Sequence, residues 1–200
     1  MLTVAAIMLD EADYVRRWAD GLRWASRDFK KVVVVDGGSA DDTVSLLEEA
    51  TADFSCPVEI LHRAFPMDFA DQRYFAMQQC GPRWVLMVDA DETVSTALLG
   101  GLGANLREAE RRDIDVIGIP RLNFIDDQLV ASPGTRGLDF QYRLMRSYCA
   151  WEGKVHETPI GVKGRIELEI VQGHFILHDK KSARHIERNA LYDTMAVEGG

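Results

Sequence analysis

The sequence predicts an α/β fold: a mostly parallel sheet flanked by helices, followed by a more irregular, β-containing C-terminal part. Short apolar runs without polar alternation recur at residues 2–8, 31–35 and 84–88, the pattern of strands covered on both faces. Helical-period segments separate them, and strand–helix alternation favours parallel pairing. After about Phe124 the alternation stops and turn signals appear at Asp126-Asp127 and Pro133-Gly134.

Taken in order, residues 2–8 (LTVAAIM) suit a buried strand. Tyr14, Val15, Trp18 and Leu22 share one helical face, with Arg16, Arg17 and Asp20 between them. Residues 31–35 carry four successive valines, a strand that Gly37, Gly38 and Ser39 break. Asp41, Asp42 and Thr43 supply helix-start chemistry before Val44, Leu46 and Leu47, with Ser39 or Asp41 as the expected cap. Residues 58–61 read as a strand, 69–79 as a helix and 84–88 as a fourth strand. Residues 96–111 read as a helix loosened by Gly100, Gly101 and Gly103, and 115–122 as a further strand. Extended runs follow at 141–145, 166–171 and 174–177, and residues 182–197 are compatible with a helix.

The chain has 200 residues, 46% hydrophobic and 28% charged, enough for one domain with a core of its own. A net charge of -9 argues against a nucleic-acid coat or an anionic membrane as partner. It leaves nucleotides open, because a bound cation reverses the local sign. Cys56, Cys80 and Cys149 form no C-x-x-C pair, so they read as reduced, buried thiols. The N-terminus has no basic segment ahead of a long apolar run, and no stretch approaches the ~18 residues of a membrane span. The expected location is the cytoplasm, with any membrane association peripheral, at the inner face.

Four constellations carry candidate chemistry. Val88-Asp89-Ala90-Asp91-Glu92 ends the fourth strand, where open α/β sheets bind ligands. In extended backbone, Asp89 and Asp91 would point the same way and offer a hard cation two carboxylates. A lone D-x-D is common and can be a solvated loop, so its place after an apolar strand is what gives it weight. Val35-Asp36-Gly37-Gly38-Ser39-Ala40-Asp41-Asp42-Thr43 also joins a strand to a helix, with Asp36 placed to accept from a base N–H. It is neither a Walker loop nor a dinucleotide fingerprint. Leu9-Asp10-Glu11 is a third acidic strand end, although Glu11 also suits a helix N-terminus. Finally, Trp151-Glu152-Gly153-Lys154-Val155-His156-Glu157, with His174 and His178 beyond, offers a metal ligand beside a base.

Together these residues resemble the family 2 glycosyltransferases of the GT-A fold. The pattern V-D-x-G-S-x-D-x-T is met at Val35, Asp36, Gly38, Ser39, Asp41 and Thr43, and Asp89 and Asp91 stand where that family has its D-x-D. Gln141-x-Arg143-Leu144-x-Arg146, followed by Trp151-x-Gly153-x-Val155-His156-Glu157, looks like a bacterial subgroup that builds lipopolysaccharide core and other cell-surface glycans. The resemblance runs from about Thr3 to His178. It implies a single GT-A-like domain, with residues 1–123 as the nucleotide-binding half and 124–200 completing the metal and acceptor sites.

The resemblance also implies roles. Asp36 would bind the donor's base, with Gly38 and Ser39 beside it and Glu11 near the nucleoside. Asp89 would meet the ribose or the metal-bound diphosphate, and Asp91 would ligate Mg²⁺ or Mn²⁺ directly. His178 would complete the metal site, with His156 as the competing ligand. The family typically inverts the anomeric centre, so a carboxylate should deprotonate the acceptor: Glu157 first, Asp139 second. Arg143 or Arg146 would pair with phosphate unless it serves a surface salt bridge. The implied partners are a UDP-, GDP-, CDP- or dTDP-sugar donor and a glycan or lipid-linked acceptor, with no nucleic acid. Asp10 stands where the family usually has Asn, and so little chain follows His178 that acceptor binding is expected to be minimal or completed by a partner. The rival readings are a non-catalytic nucleotide- or sugar-binding module and a sugar nucleotidyltransferase. The latter needs a basic glycine-rich loop where this chain has Leu9-Asp10-Glu11-Ala12.

Overall fold

A computed structural model describes residues 2–81, 83–130, 139–155, 157–168, 172–182, 192 and 195. The first half alternates β1 (Leu2–Met8), α1 (Ala12–Arg23), β2 (Phe29–Asp36), α2 (Thr43–Thr51), β3 (Val58–His62), α3 (Phe69–Gln78) and β4 (Trp84–Met87). Then come β5 (Glu92–Val94), α4 (Thr96–Arg111), β6 (Val116–Ile125), β7 (Gln128–Val130) and β8 (Asp139–Arg146). Four short strands close the described chain: β9 (Ala150–Glu152), β10 (Thr158–Ile160), β11 (Arg165–Glu167) and β12 (Ile176–Lys180). No helix among the described residues is long and apolar enough to cross a membrane.

The main sheet runs β3-β2-β1-β4-β8-β6-β12-β5. β1, β2, β3 and β4 pair in parallel, β8 is antiparallel to both its neighbours, and β12 is parallel to β6. The α/β class with a largely parallel sheet is as the sequence predicts. β8 and β12, both from the second half, enter this same sheet, while β9 and β10 pair separately.

Both faces of the central strands are covered, which explains their lack of alternation. Val4, Ala6, Val32, Val34, Leu86 and Val88 pack against α1, α2 and α4, whereas Ala5, Val33, Val35, Val85 and Met87 pack against α3 and Trp151. That parity positions the site. Val85 and Met87 face α3, so Asp89, next in the same phase, meets α3 as well. From the other side, Trp18 of α1 donates Nε1–H to the Val88 carbonyl at 3.2 Å and anchors the end of β4.

Several local expectations are corrected. The glycines do not loosen α4, which runs unbroken. Gly101 instead makes room for a loop, since a Cβ there would lie 2.9 Å from His174 Nε2. The last strand spans Ile176–Lys180 rather than 174–177, because its pairing with β6 and β5 begins at Ile176 and takes in His178. The strand expected at 166–171 is Arg165–Glu167, and residues 169–171 lie outside the described residues. So does most of the helix expected at 182–197.

Candidate active site

The loops after β1 and β2 are tied together. Asp10 has φ 54, a left-handed conformation that Asp and Asn tolerate best. Its Oδ1 accepts from Ala40 N at 2.7 Å, and its own N–H donates to Ser39 Oγ at 2.9 Å. An Asn would meet the same demands, so this departure from the family pattern preserves the local fold. Glu11 and Asp42 hold the N-cap positions of α1 and α2, and Asp41 supplies the acceptor for the first N–H of both, from Ala12 N at 3.1 Å and Thr43 N at 2.9 Å. Ser39 caps neither helix. Glu11 sits at the N-cap position of α1, makes no side-chain cap bond there, and is buried facing the cavity.

Asp36 is held from three sides. It accepts from Gly38 N at 3.1 Å and Ser39 N at 3.2 Å, and it lies 3.2 Å from His62 Nδ1. Burial raises its pKa, but these bonds outweigh burial and hold it below the usual carboxylate value. Gly38 has φ +98, which wraps the loop round the carboxylate. Asp36, Gly38 and Ser39 do not reach the wall of the main cavity. Asp36 is buried while Gly38 is exposed, and the neighbouring Gly37 packs close to Leu9 and Phe65, which do reach it.

The cavity encloses about 430 Å³, within the range of small-ligand sites. Leu9, Glu11, Phe65 and Phe69 line one end, and Tyr192 meets Phe69 edge-on at 5.7 Å. Asp89, Asp91, Arg143, Glu157 and His178 share the wall, joined by Arg73, Arg121 and Lys180. Arg73, Arg121 and Lys180 carried no sequence expectation. Arg73 had a signal: it occupies the core-facing stripe of α3 beside Ala70, Ala76 and Met77, where a charge needs a buried partner.

Asp89 and Asp91 both face the cavity, but not through extended backbone. The chain turns, with Glu92 N bonded to Asp89 O at 3.0 Å, and each carboxylate takes different partners. Arg73 grips Asp89 through both terminal nitrogens at 2.7 and 2.9 Å, and Arg143 bonds it as well. Burial would raise the Asp89 pKa; Arg143 and Arg73 overcome that and hold it far below the usual carboxylate range. Arg143 also reaches the fully buried Glu92 at 2.8 Å. Arg146, in contrast, pairs with Glu110 and stacks over Trp84 at 4.3 Å, serving the outer surface.

Asp91 Oδ2 lies 3.2 Å from His178 Nε2, and His178 Nδ1 lies 2.7 Å from Asn123 Oδ1. Asn123 Nδ2 donates to Asp139 at 3.2 Å. Burial raises the Asp91 pKa, but the His178 bond and charge lower it further, so the net shift is downward. Among the described residues no group of three or more His, Cys, Asp or Glu side chains gathers as a metal cage. His156 lies outside the described residues.

The two candidate bases differ in setting. Glu157 faces the cavity, and Arg73 Nε bonds its Oε1. Burial pushes its pKa up and Arg73 pulls it down, with a net lowering. The loop ahead of it is fixed to α3 by a bond from Phe69 N to Lys154 O at 3.0 Å. Asp139 is not part of the wall, and Arg121, Asn123 and Gln141 all donate to it.

Comparison with known proteins follows the same lines. Residues 3–185 match the family described as Glycosyl transferase family 2. The chain is 24% identical over 178 residues to the SPbeta prophage-derived glycosyltransferase SunS of Bacillus subtilis (strain 168), covering 89% of this chain and 39% of SunS. It is 30% identical over 97 residues to the lipopolysaccharide core biosynthesis glycosyltransferase LpsC of Rhizobium meliloti (strain 1021), covering 48% of this chain and 34% of LpsC. The chain thus spans about two fifths or less of the length of these relatives. The crystal structure of S. aureus TarS 1-349 superposes with a TM-score of 0.64 at 14% identity, over 98% of this chain and 64% of that one. Its complex with UDP-GlcNAc gives a TM-score of 0.52 at 22% identity, over 67% and 36%. The shared fold is GT-A.

Proposed function

The chain belongs to glycosyl transferase family 2, and on that premise we propose that it is an inverting, divalent-cation-dependent enzyme. It moves a hexose from a nucleoside-diphosphate sugar to an acceptor hydroxyl on a cell-surface glycan or its lipid-linked precursor. The observation that carries this reading is one cavity wall. It sets the Asp91–His178 pair, the Arg73-bound Asp89 and the Glu157 carboxylate side by side.

The donor set fits a cation. Asn123 gives its amide N–H to Asp139, so its oxygen faces His178 and the proton sits on Nδ1. His178 Nε2 then faces Asp91 Oδ2 across 3.2 Å, an imidazole nitrogen and a carboxylate oxygen placed where one cation could be held by both. Asp91 and His178 would hold Mg²⁺ or Mn²⁺ through a carboxylate and an imidazole. Such an ion would neutralise charge that develops on the leaving diphosphate.

The protein's own groups do the rest. Glu11, Phe65 and Phe69 receive the nucleoside, and the Asp36–Gly38–Ser39 loop shapes that end through Gly37, which packs on Leu9 and Phe65. Asp89, held by two guanidiniums, orients Arg73 and Arg143 along the diphosphate. Glu157 takes the acceptor proton with its cavity-facing carboxylate, while Asp139, engaged by three donors, positions Asn123 and Arg121. UDP heads the candidate donors because TarS, a neighbour in fold, was solved with UDP and with UDP-GlcNAc.

Calorimetric titration of UDP, GDP, CDP and dTDP, with and without Mn²⁺, tests this reading. Tight binding of one of them, lost without metal and lost in Asp91→Ala, supports it. A folded protein that binds none overturns it, and metal-dependent release of pyrophosphate from a nucleoside triphosphate would favour a nucleotidyltransferase instead.

A further inference from the structure

Among the described residues, three of the four Arg and Lys side chains in the cavity wall are neutralised by fixed carboxylates. Arg73 pairs with Asp89 and Glu157, Arg143 with Asp89 and Glu92, and Arg121 with Asp139 and Glu92. Lys180 differs. Among the described residues, no hydrogen bond or salt bridge reaches its Nζ, although it lines the same cavity as Asp89 and Asp91. A half-buried ammonium without acceptors beside such a cavity is completed by an anion bound there.

Its place is set by the strand. β12 is extended from Ile176 to Lys180, so Ile176, His178 and Lys180 share one face, while Asp179 turns the other way to Arg17. Asp126 N bonds the Lys180 carbonyl at 3.0 Å and fixes the backbone there. Lys180 therefore lines the cavity on the same strand face as His178, two residues beyond it.

We propose that Lys180 is a catalytic residue that binds the β-phosphate of the nucleoside-diphosphate donor and stabilises it as the leaving group. This rests on the transferase reading above. In the reaction the acceptor O–H gives its proton to Glu157, and its oxygen forms the new bond to the anomeric carbon. The bond from that carbon to the β-phosphate oxygen breaks, and its electron pair stays on the nucleoside diphosphate, which gains one negative charge. Lys180 keeps its proton throughout and donates N–H to that oxygen, the role for which a compact, mobile point charge suits.

The test compares Lys180→Met and Lys180→Arg with the unaltered protein in calorimetric titrations of UDP, GDP, CDP and dTDP and the matching monophosphates, with Mn²⁺. The expected result is that the diphosphate loses about tenfold or more in affinity in Lys180→Met while the monophosphate is unchanged, with Lys180→Arg recovering most of the loss. Equal weakening of both nucleotides in Lys180→Met, or no weakening of either, would overturn the assignment. Lys180→Arg guards against misfolding, because loss of diphosphate affinity in both variants while monophosphate binding persists would also count against a simple charge role. Failure of the unaltered protein to bind any diphosphate would instead sink the transferase reading itself.

Discussion

Arg73 bonds Glu157 from a position 84 residues earlier in the chain, and with its two other nitrogens it holds Asp89. One guanidinium thus fixes the distance between the carboxylate that ends β4 and the carboxylate assigned to deprotonate the acceptor. It also sets the acidity of that base, because it is the main counterweight to burial at Glu157.

The sign of that effect gives the first prediction. A general base works when deprotonated, so activity falls as pH drops through its pKa. Arg73 lowers that pKa and extends activity toward acid. Arg73→Gln should move the acid limb of the kcat/KM profile to higher pH, besides weakening donor binding. An acid limb that stays in place in this variant would mean that Glu157 is not the group titrating.

Glu157 and Asp139 should separate cleanly. Glu157→Gln is expected to lower kcat by roughly 10²–10⁴ with little change in donor affinity, as loss of a general base does. Asp139→Asn, changed outside the cavity wall, should cost far less. Steady-state kinetics on both variants decides the assignment, and the reverse ranking would transfer the role to Asp139.

Asn123 selects which nitrogen of His178 carries the proton. Asn123→Leu removes the Nδ1–H acceptor and frees the ring to rotate or change tautomer. Mn²⁺ affinity, read by electron paramagnetic resonance, should fall by about 10–100-fold, the usual cost of losing such a supporting bond. Unchanged Mn²⁺ binding would show that His178 does not ligate the metal.

Asp41 accepts the first N–H of both α1 and α2. Asp41→Ala should destabilise the fold by about 1–2 kcal/mol, a lost cap bond at each of two helices. Thermal or urea unfolding measures it. A change within error would show that both backbone groups find water instead.

Much of this architecture is legible in the sequence. The unbroken apolar runs of β1, β2 and β4 announce strands buried on both sides, since neither face could tolerate polar residues. The acidic residues after each strand mark the ligand edge, and the family pattern names Asp89, Asp91, Glu157 and His178, which the cavity gathers. The partners stay hidden. Arg73, Arg121 and Lys180 are spread over α3, β6 and β12, and nothing local in their surroundings links them. The backbone direction at Asp89–Asp91 also depends on what lies opposite, because a turn there satisfies Arg73 and His178 separately.

Sequence alone therefore determined the α/β class, the strand ends that carry the site and the family. Periodicity and short motifs are local, and burial leaves its mark on each strand independently. Tertiary structure alone decided which carboxylate meets which cation, leaving Asp36 and Asp139 out of the cavity wall and placing Lys180 in it with no salt bridge among the described residues. Those outcomes depend on the order in which β4, β8, β6 and β12 lie in the sheet, and Coulomb interactions act between neighbours in space whatever their separation in the chain.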